Sequence, residues 1–218
     1  MAVITISRQL GSGGTYIARQ VAQTLGYHLV DKNILEKVLN QYGFIQFGVE
    51  YESAPSFWER LDTARITMIE MLNKVIQAVA CHGHTIILGR GSYAVLGNFS
   101  DVLNVRIQAP PAYRIKREME EHNIKDMAEA EVLVRESDRI RSTFTQSWYG
   151  VRWDSAGAFD LVIDTSKVPS ELAITWIIEG LNAMMVRQGN ENPVAKAFQV
   201  DPVLAQTVNE ILEVKPAV

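Results

Sequence analysis

Short runs of β-branched and aliphatic residues alternate with longer stretches in which apolar side chains return every three or four positions. Val3-Ile4-Thr5-Ile6 is the first such run and predicts a strand ending at a Gly-rich turn. Ile17, Val21, Ala22 and Leu25 then share one helical face, with Gly26 as a stop. Tyr27 to Val30 reads as a second strand ending at Asp31, and residues 32–41 as a helix with Ile34, Leu35, Val38 and Leu39 on its apolar stripe. Residues 43–55 read as irregular. The longest helical pattern covers 56–81, with Phe57, Leu61, Ala64, Met68, Leu72, Val75 and Val79 at steps of three and four. Thr85-Ile86-Ile87-Leu88, Val102 to Ile107 and Leu161-Val162-Ile163 are the remaining predicted strands. Pro110-Pro111 opens a helix to about Glu121. A charged helix follows from about Lys125 to Thr145, and another spans 169–187.

Strands alternating with helices imply βαβ units and a parallel sheet. The strands are continuous apolar runs, as expected when both sheet faces are covered, so the fold expected is a three-layer α/β domain over 1–187. Residues 188–201 read as a polar linker, and 202–214 as one short amphipathic helix. That helix is open to docking on the domain, on a second subunit in a homo-oligomer, or on nothing.

Composition narrows the class. The chain has 218 residues, 47% of them hydrophobic and 21% charged, which excludes a disordered chain. A formal net charge of −4 argues against a nucleic-acid or membrane-surface partner, each of which needs a basic face. No apolar run approaches the ~18 residues of a membrane span. The N-terminal apolar run meets Arg8 early and reads as a buried strand rather than a secretion signal. The lone Cys81 makes neither an intrachain bridge nor a zinc site, and a cytoplasmic setting is the plain expectation. The four histidines, 28, 82, 84 and 122, show no metal-binding spacing.

The segment richest in chemistry is Ser7-Arg8-Gln9-Leu10-Gly11-Ser12-Gly13-Gly14-Thr15, between the first strand and the first helix. Three glycines within it let the backbone turn tightly and gather N–H groups around one concavity, and the following helix adds its positive end. Such a hollow suits a polyphosphate; the bland alternative is a tight turn without a ligand. Thr15 can offer a hydroxyl to Mg²⁺ or to phosphate.

The stretch Ile4 to Thr15 with Ile17-Ala18, then Leu29-Val30-Asp31, Ile86 to Gly91, Asp138-Arg139-Ile140-Arg141 and Leu161 to Ser166, resembles the cytidylate-kinase-like branch of the P-loop nucleoside monophosphate kinases. The resemblance covers roughly residues 1–185. It implies a P-loop NTPase-type fold with a five-stranded parallel sheet and a helical lid at about 125–147. It also implies transfer of the γ-phosphoryl of Mg·ATP to a nucleoside monophosphate, with CMP first. Two readings stand beside it: a non-catalytic nucleotide-binding module, and a kinase of another small metabolite.

Against the Walker pattern G-x-x-x-x-G-K-[ST], Arg8 stands at the first Gly and Gly14 at the Lys; Gly13 and Thr15 match. The absent Lys normally bridges the β- and γ-phosphates. Arg8 is a candidate for the missing charge, or else caps a neighbouring carbonyl. By resemblance, Gly11, Ser12, Gly13, Gly14 and Thr15 hold the donor phosphates, with Thr15 on the metal and Thr165 near the adenine. Asp31, Arg90 and Asp138 meet the acceptor, and Arg135, Arg139 and Arg141 come from the lid. Each has a structural alternative: Asp31 as a helix cap, Arg90 in an ion pair, the Thr165 loop as a capping cluster, and the arginine-rich helix as a solvated surface.

Overall fold

The computed structural model describes residues 2–45, 62–187 and 193–213. The expectations for 46–61, which include the irregular stretch and the start of the long helix with Phe57 and Leu61, lie outside the described residues. In chain order the elements are β1 (Val3–Arg8), α1 (Gly14–Leu25), β2 (His28–Val30), α2 (Lys32–Gln41), α3 (Thr63–His82), β3 (Thr85–Leu88), α4 (Ser92–Leu96), β4 (Val102–Gln108), α5 (Pro111–His122), α6 (Met127–Tyr149), β5 (Leu161–Asp164), α7 (Ser170–Val186) and α8 (Pro202–Glu213). Single 3₁₀ turns occupy Ala156–Ala158 and Ala195–Ala197.

All strands run parallel in one five-stranded sheet ordered β2-β3-β1-β4-β5. Val3 lies opposite Thr85 on one side and Val102 on the other, so β1 is the central strand. Alternation along it divides the core. Val3 joins Val30, Leu35, Leu72, Ile76, Val79 and Ile87 beneath α2, α3 and α8. Ile4 and Ile6 join Ile17, Val21, Ile86, Leu88, Val105, Ile107, Ile177 and Leu181 beneath α1 and α7. Burying a side chain of this size stabilises by roughly 1.5–3 kcal/mol, and both layers consist of such residues. A polar pair sits within the sheet, where Thr5 Oγ1 donates to Asn104 Oδ1 at 2.7 Å.

The three-layer expectation and the five strands stand. The charged helix extends to Tyr149, four residues beyond the predicted end, until Gly150 at φ +67° closes it. Ser92–Leu96 was not expected. The polar stretch expected as a linker is, from residue 193, part of the domain: Ala195 is buried, and Asp101 accepts the Ala195 N–H at 2.6 Å. The last helix docks on its own domain through Leu204, Val208 and Leu212, so this apolar face is already covered. No helix among the described residues is long and apolar enough to cross a membrane.

At the amino end of the sheet, the His28 and His82 rings meet edge to face at 5.4 Å, and Tyr27 and His84 at 5.2 Å. Burial, then the neighbouring His82, holds the His28 imidazole below its ordinary value, against a smaller opposing pull from Glu213. Its proton is therefore bound more readily in the unfolded chain. The stability this gives is full above the unfolded value of about 6.5 and is lost as pH falls through the folded one. The melting midpoint should drop between pH 7 and 5, and His28→Gln should flatten that part of the profile in calorimetry.

Candidate active site

The loop from β1 to α1 owes its shape to a few contacts. Gly11 lies at φ +75°, and a Cβ there would stand 2.5 Å from the Arg114 carbonyl oxygen and 2.9 Å from its Cα, against backbone that cannot yield. Ser12 is buried and its hydroxyl donates to the Gln9 carbonyl at 2.7 Å. Thr165 Oγ1 donates to the Ser12 carbonyl at 2.8 Å. Ser12 and Thr165, both expected at the donor nucleotide, thus spend their hydroxyls bracing the loop. No side chain caps α1 at Gly13, so its first amides are available to an anion. Thr15 is exposed at the same helix start.

Gly14 has a steric reason of its own. A Cβ there would lie 2.5 Å from Arg8 Cβ and 3.1 Å from Ile107 Cβ. Arg8 continues to the β3–α4 loop, where a Cβ on Gly89 would fall 2.5 Å from its Nη1. The Arg8 side chain therefore runs from the first loop to the second.

Two hollows open at the carboxyl ends of the strands, where sheets of this kind bind ligands. The first, of about 270 Å³, is lined by Gly11, Gly13, Gly14 and Thr15 with Arg117 from α5. The second, of about 220 Å³, is lined by Lys32, Arg90, Ser137 and Ile140. Arg8 and Arg141 line both.

At the second hollow, Asp31 accepts the Asn33 and Ile34 amides at 2.9 and 3.2 Å and so serves as the N-cap of α2. The residue that lines the hollow there is Lys32, which sequence reasoning passed over. Arg90 is buried at φ +55°, uncommon for a residue with a side chain, and such strain gathers at functional sites. Its Nη2 donates to Glu36 Oε1 at 2.8 Å. Tyr149 packs on Gly91, and its hydroxyl donates to Asn73 Oδ1 at 2.9 Å.

The α6 arginines divide. Arg135 pairs with Glu131 at 2.5 Å and Arg139 with Glu136 at 2.6 Å, both pairs well exposed to solvent. Asp138, expected at the acceptor, is gripped at 3.2 and 2.8 Å by the buried Arg114, which also donates to the Ala109 and Leu10 carbonyls. Arg141 alone of the three expected lid arginines reaches the hollows, held by the carbonyl and hydroxyl of Ser137 one turn earlier. The face carrying 135, 138 and 139 is therefore not the face carrying 137 and 141.

At the rim of the first hollow stand Glu118, Glu121 and His122, each with one ligand-type atom within 4.8 Å of the others. They are engaged among themselves and with Arg117, which pairs with Glu121 at 2.6 Å, while His122 lies 3.6 Å from Glu118. Burial pushes the Glu118 carboxyl up, and the neighbouring His122, with lesser help from Arg117 and a hydrogen bond from Gly11, opposes that rise.

This arrangement has relatives. Residues 3–167 match the model of the cytidylate kinase-like family. A cytidylate kinase of Pyrobaculum arsenaticum is 30% identical over 169 residues, covering 76% of this chain and 85% of that protein. One from Staphylothermus marinus is 26% identical over 194 residues, covering 82% and 96%. Among solved structures, an uncharacterized protein from Eubacterium ventriosum superposes with a TM-score of 0.68 at 19% identity, covering 84% of this chain and 99% of that one. The YorR protein of Bacillus subtilis, in complex with phosphorylated GDP, gives 0.50 at 11%, covering 86% and 100%. At these identities the structures attest the fold, while the match across most of the length attests the lineage: the chain belongs to the cytidylate kinase-like family.

Proposed function

We propose that this protein transfers the γ-phosphoryl group of Mg·ATP to a nucleoside monophosphate, with CMP as the first acceptor to test. The observation that carries the reading is the sharing of Arg8 and Arg141 by the two hollows. A group moving from a donor in one to an acceptor in the other passes between two guanidiniums.

The first hollow fits a triphosphate with its magnesium ion. Its lining includes a glycine turn whose close packing on Arg8, Arg114 and Arg117 leaves no room for a Cβ, its helix start carries no cap, and the exposed Thr15 can offer a hydroxyl to the metal. Bound magnesium would offset charge between the β- and γ-phosphates. Arg90 and Lys32 would grip the acceptor phosphate, the guanidinium through parallel N–H bonds. Arg8 and Arg141 would neutralise charge on the phosphoryl in flight. An ionised acceptor phosphate needs no protein base, so positioning and charge supply the catalysis.

A coupled assay of ATP consumption over nucleoside monophosphates and small metabolites, with calorimetric titration of each, tests this. Turnover fastest with CMP is expected. Tight nucleotide binding with no turnover on any acceptor would leave a binding module, and turnover confined to a non-nucleotide would move the acceptor class.

A further inference from the structure

A third cavity of about 10 Å³ shares Arg8 and Arg141 with both hollows and is also bordered by Ser7, Arg90 and Trp153. That is about the room of a single water-sized group. Ser7 is buried, and its Oγ accepts the Trp153 indole N–H at 3.1 Å. A hydroxyl has one proton to give and two lone pairs to receive. With a lone pair taken by the indole, the proton remains, and among the described residues it has no acceptor.

The indole is itself held in place. Arg106, fully buried in β4, lies with Cζ 4.4 Å from the Trp153 ring centroid and donates to the Trp153 carbonyl at 2.6 Å and to Gln108 Oε1 at 3.2 Å. The Phe159 ring flanks the same guanidinium at 5.6 Å. A charge so deep in a sheet is costly unless its partners are fixed, and here they fix the segment that follows α6.

We infer that Ser7 is a phosphate ligand: its hydroxyl donates to the one non-bridging oxygen that the phosphoryl group projects into this cavity, oriented for that purpose by Trp153 and Arg106. This deepens the phosphotransfer reading and rests on it. As the bond from the γ-phosphorus to the β–γ bridging oxygen breaks, ADP leaves with the electron pair and a bond to an acceptor phosphate oxygen forms. Ser7 keeps its proton throughout and supplies only the hydrogen bond. Trp153 and Arg106 are positioning residues.

The test is a double-mutant cycle of Ser7→Ala and Trp153→Phe on the acceptor found by the panel, with thermal melts to verify folding. Ser7→Ala leaves a buried indole N–H unpaired, but the double variant removes both partners and stays satisfied. We expect Ser7→Ala to lower kcat by about 10- to 100-fold with KM values little moved, and still to lower it by more than about twofold when residue 153 is Phe, the smaller effect there reporting the positioning by Trp153. An effect of Ser7→Ala under about twofold, or one that vanishes in the Phe background, would leave Ser7 a mere acceptor for the indole and overturn the inference. A readout without turnover accompanies it: inorganic phosphate titrated against the part of the tryptophan emission that Trp153→Phe removes. A saturable change that weakens in Ser7→Ala supports the ligand role even if no acceptor is turned over, in which case the phosphotransfer reading alone fails. Unchanged Trp153 emission while phosphate demonstrably binds overturns the inference.

Discussion

On the proposed function, Arg8→Ala is expected to lower kcat by about 10³-fold while the affinity for Mg·ATP falls by about tenfold or less. The split follows from where the side chain lies. Its stem rests against Gly14, its guanidinium reaches Gly89, and it lines both the hollow proposed for the triphosphate and the one proposed for the acceptor. In the proposed transfer a cation so placed would meet the transferring group more closely than the bound donor, so its loss would fall mainly on the transition state. The loop amides and the start of α1 remain to bind the nucleotide. Arg8→Lys recovers only part of the rate, because an ammonium cannot offer two parallel N–H bonds. Steady-state kinetics beside calorimetric titration decide the matter. A kcat within about tenfold of the parent would show that Arg8 only shapes the loop.

Asp138→Asn lowers the melting midpoint by about 6–12 °C. Arg114 is almost wholly buried and holds both carboxylate oxygens while bonding two backbone carbonyls. Removing the carboxylate charge strands a guanidinium that cannot shed its own, a loss of about 3 kcal/mol. In a domain of this size each kcal/mol moves the midpoint by about 2–4 °C. Arg135→Ala and Arg139→Ala should leave the midpoint within about 1 °C, since their pairs lie in solvent. Differential scanning calorimetry of the three variants checks this. A silent Asp138→Asn would return Asp138 to the list of groups available to a substrate.

The frame of the molecule was legible because its signals are local. Thr85 to Leu88 is apolar at Ile86, Ile87 and Leu88 because both faces of β3 are covered, and the glycines before Thr15 mark a turn at the first strand–helix junction. The site was less legible, because which way a polar side chain turns depends on partners distant in sequence. Ser12 and Thr165 look like ligands in a loop, yet the Ser12 hydroxyl donates to the Gln9 carbonyl within it and the Thr165 hydroxyl braces it from 153 residues away. On α6 the charges surround the helix, so no stripe tells which arginine faces inward. Arg141 does so because its face, with Ser137, turns toward β3 and the strand ends. Lys32 follows a capping aspartate and carries no mark of its own. Arg106 did leave a signal: a lone charge within Val102–Gln108, a strand otherwise suited to burial, is costly unless partnered and so warrants a search for its partner.

The contact between Gly14 and the stem of Arg8 reaches beyond this one molecule. A lysine at 14 and an arginine at 8 would claim one volume, so the two ways of arming such a loop exclude each other. Passing from one to the other takes two coordinated changes, and each intermediate is handicapped: one holds both side chains and is overcrowded, the other holds neither and has lost its local cation. A loop of this composition is thus trapped in its own solution, and a glycine at position 14 can be read as the imprint of a side chain six residues before it.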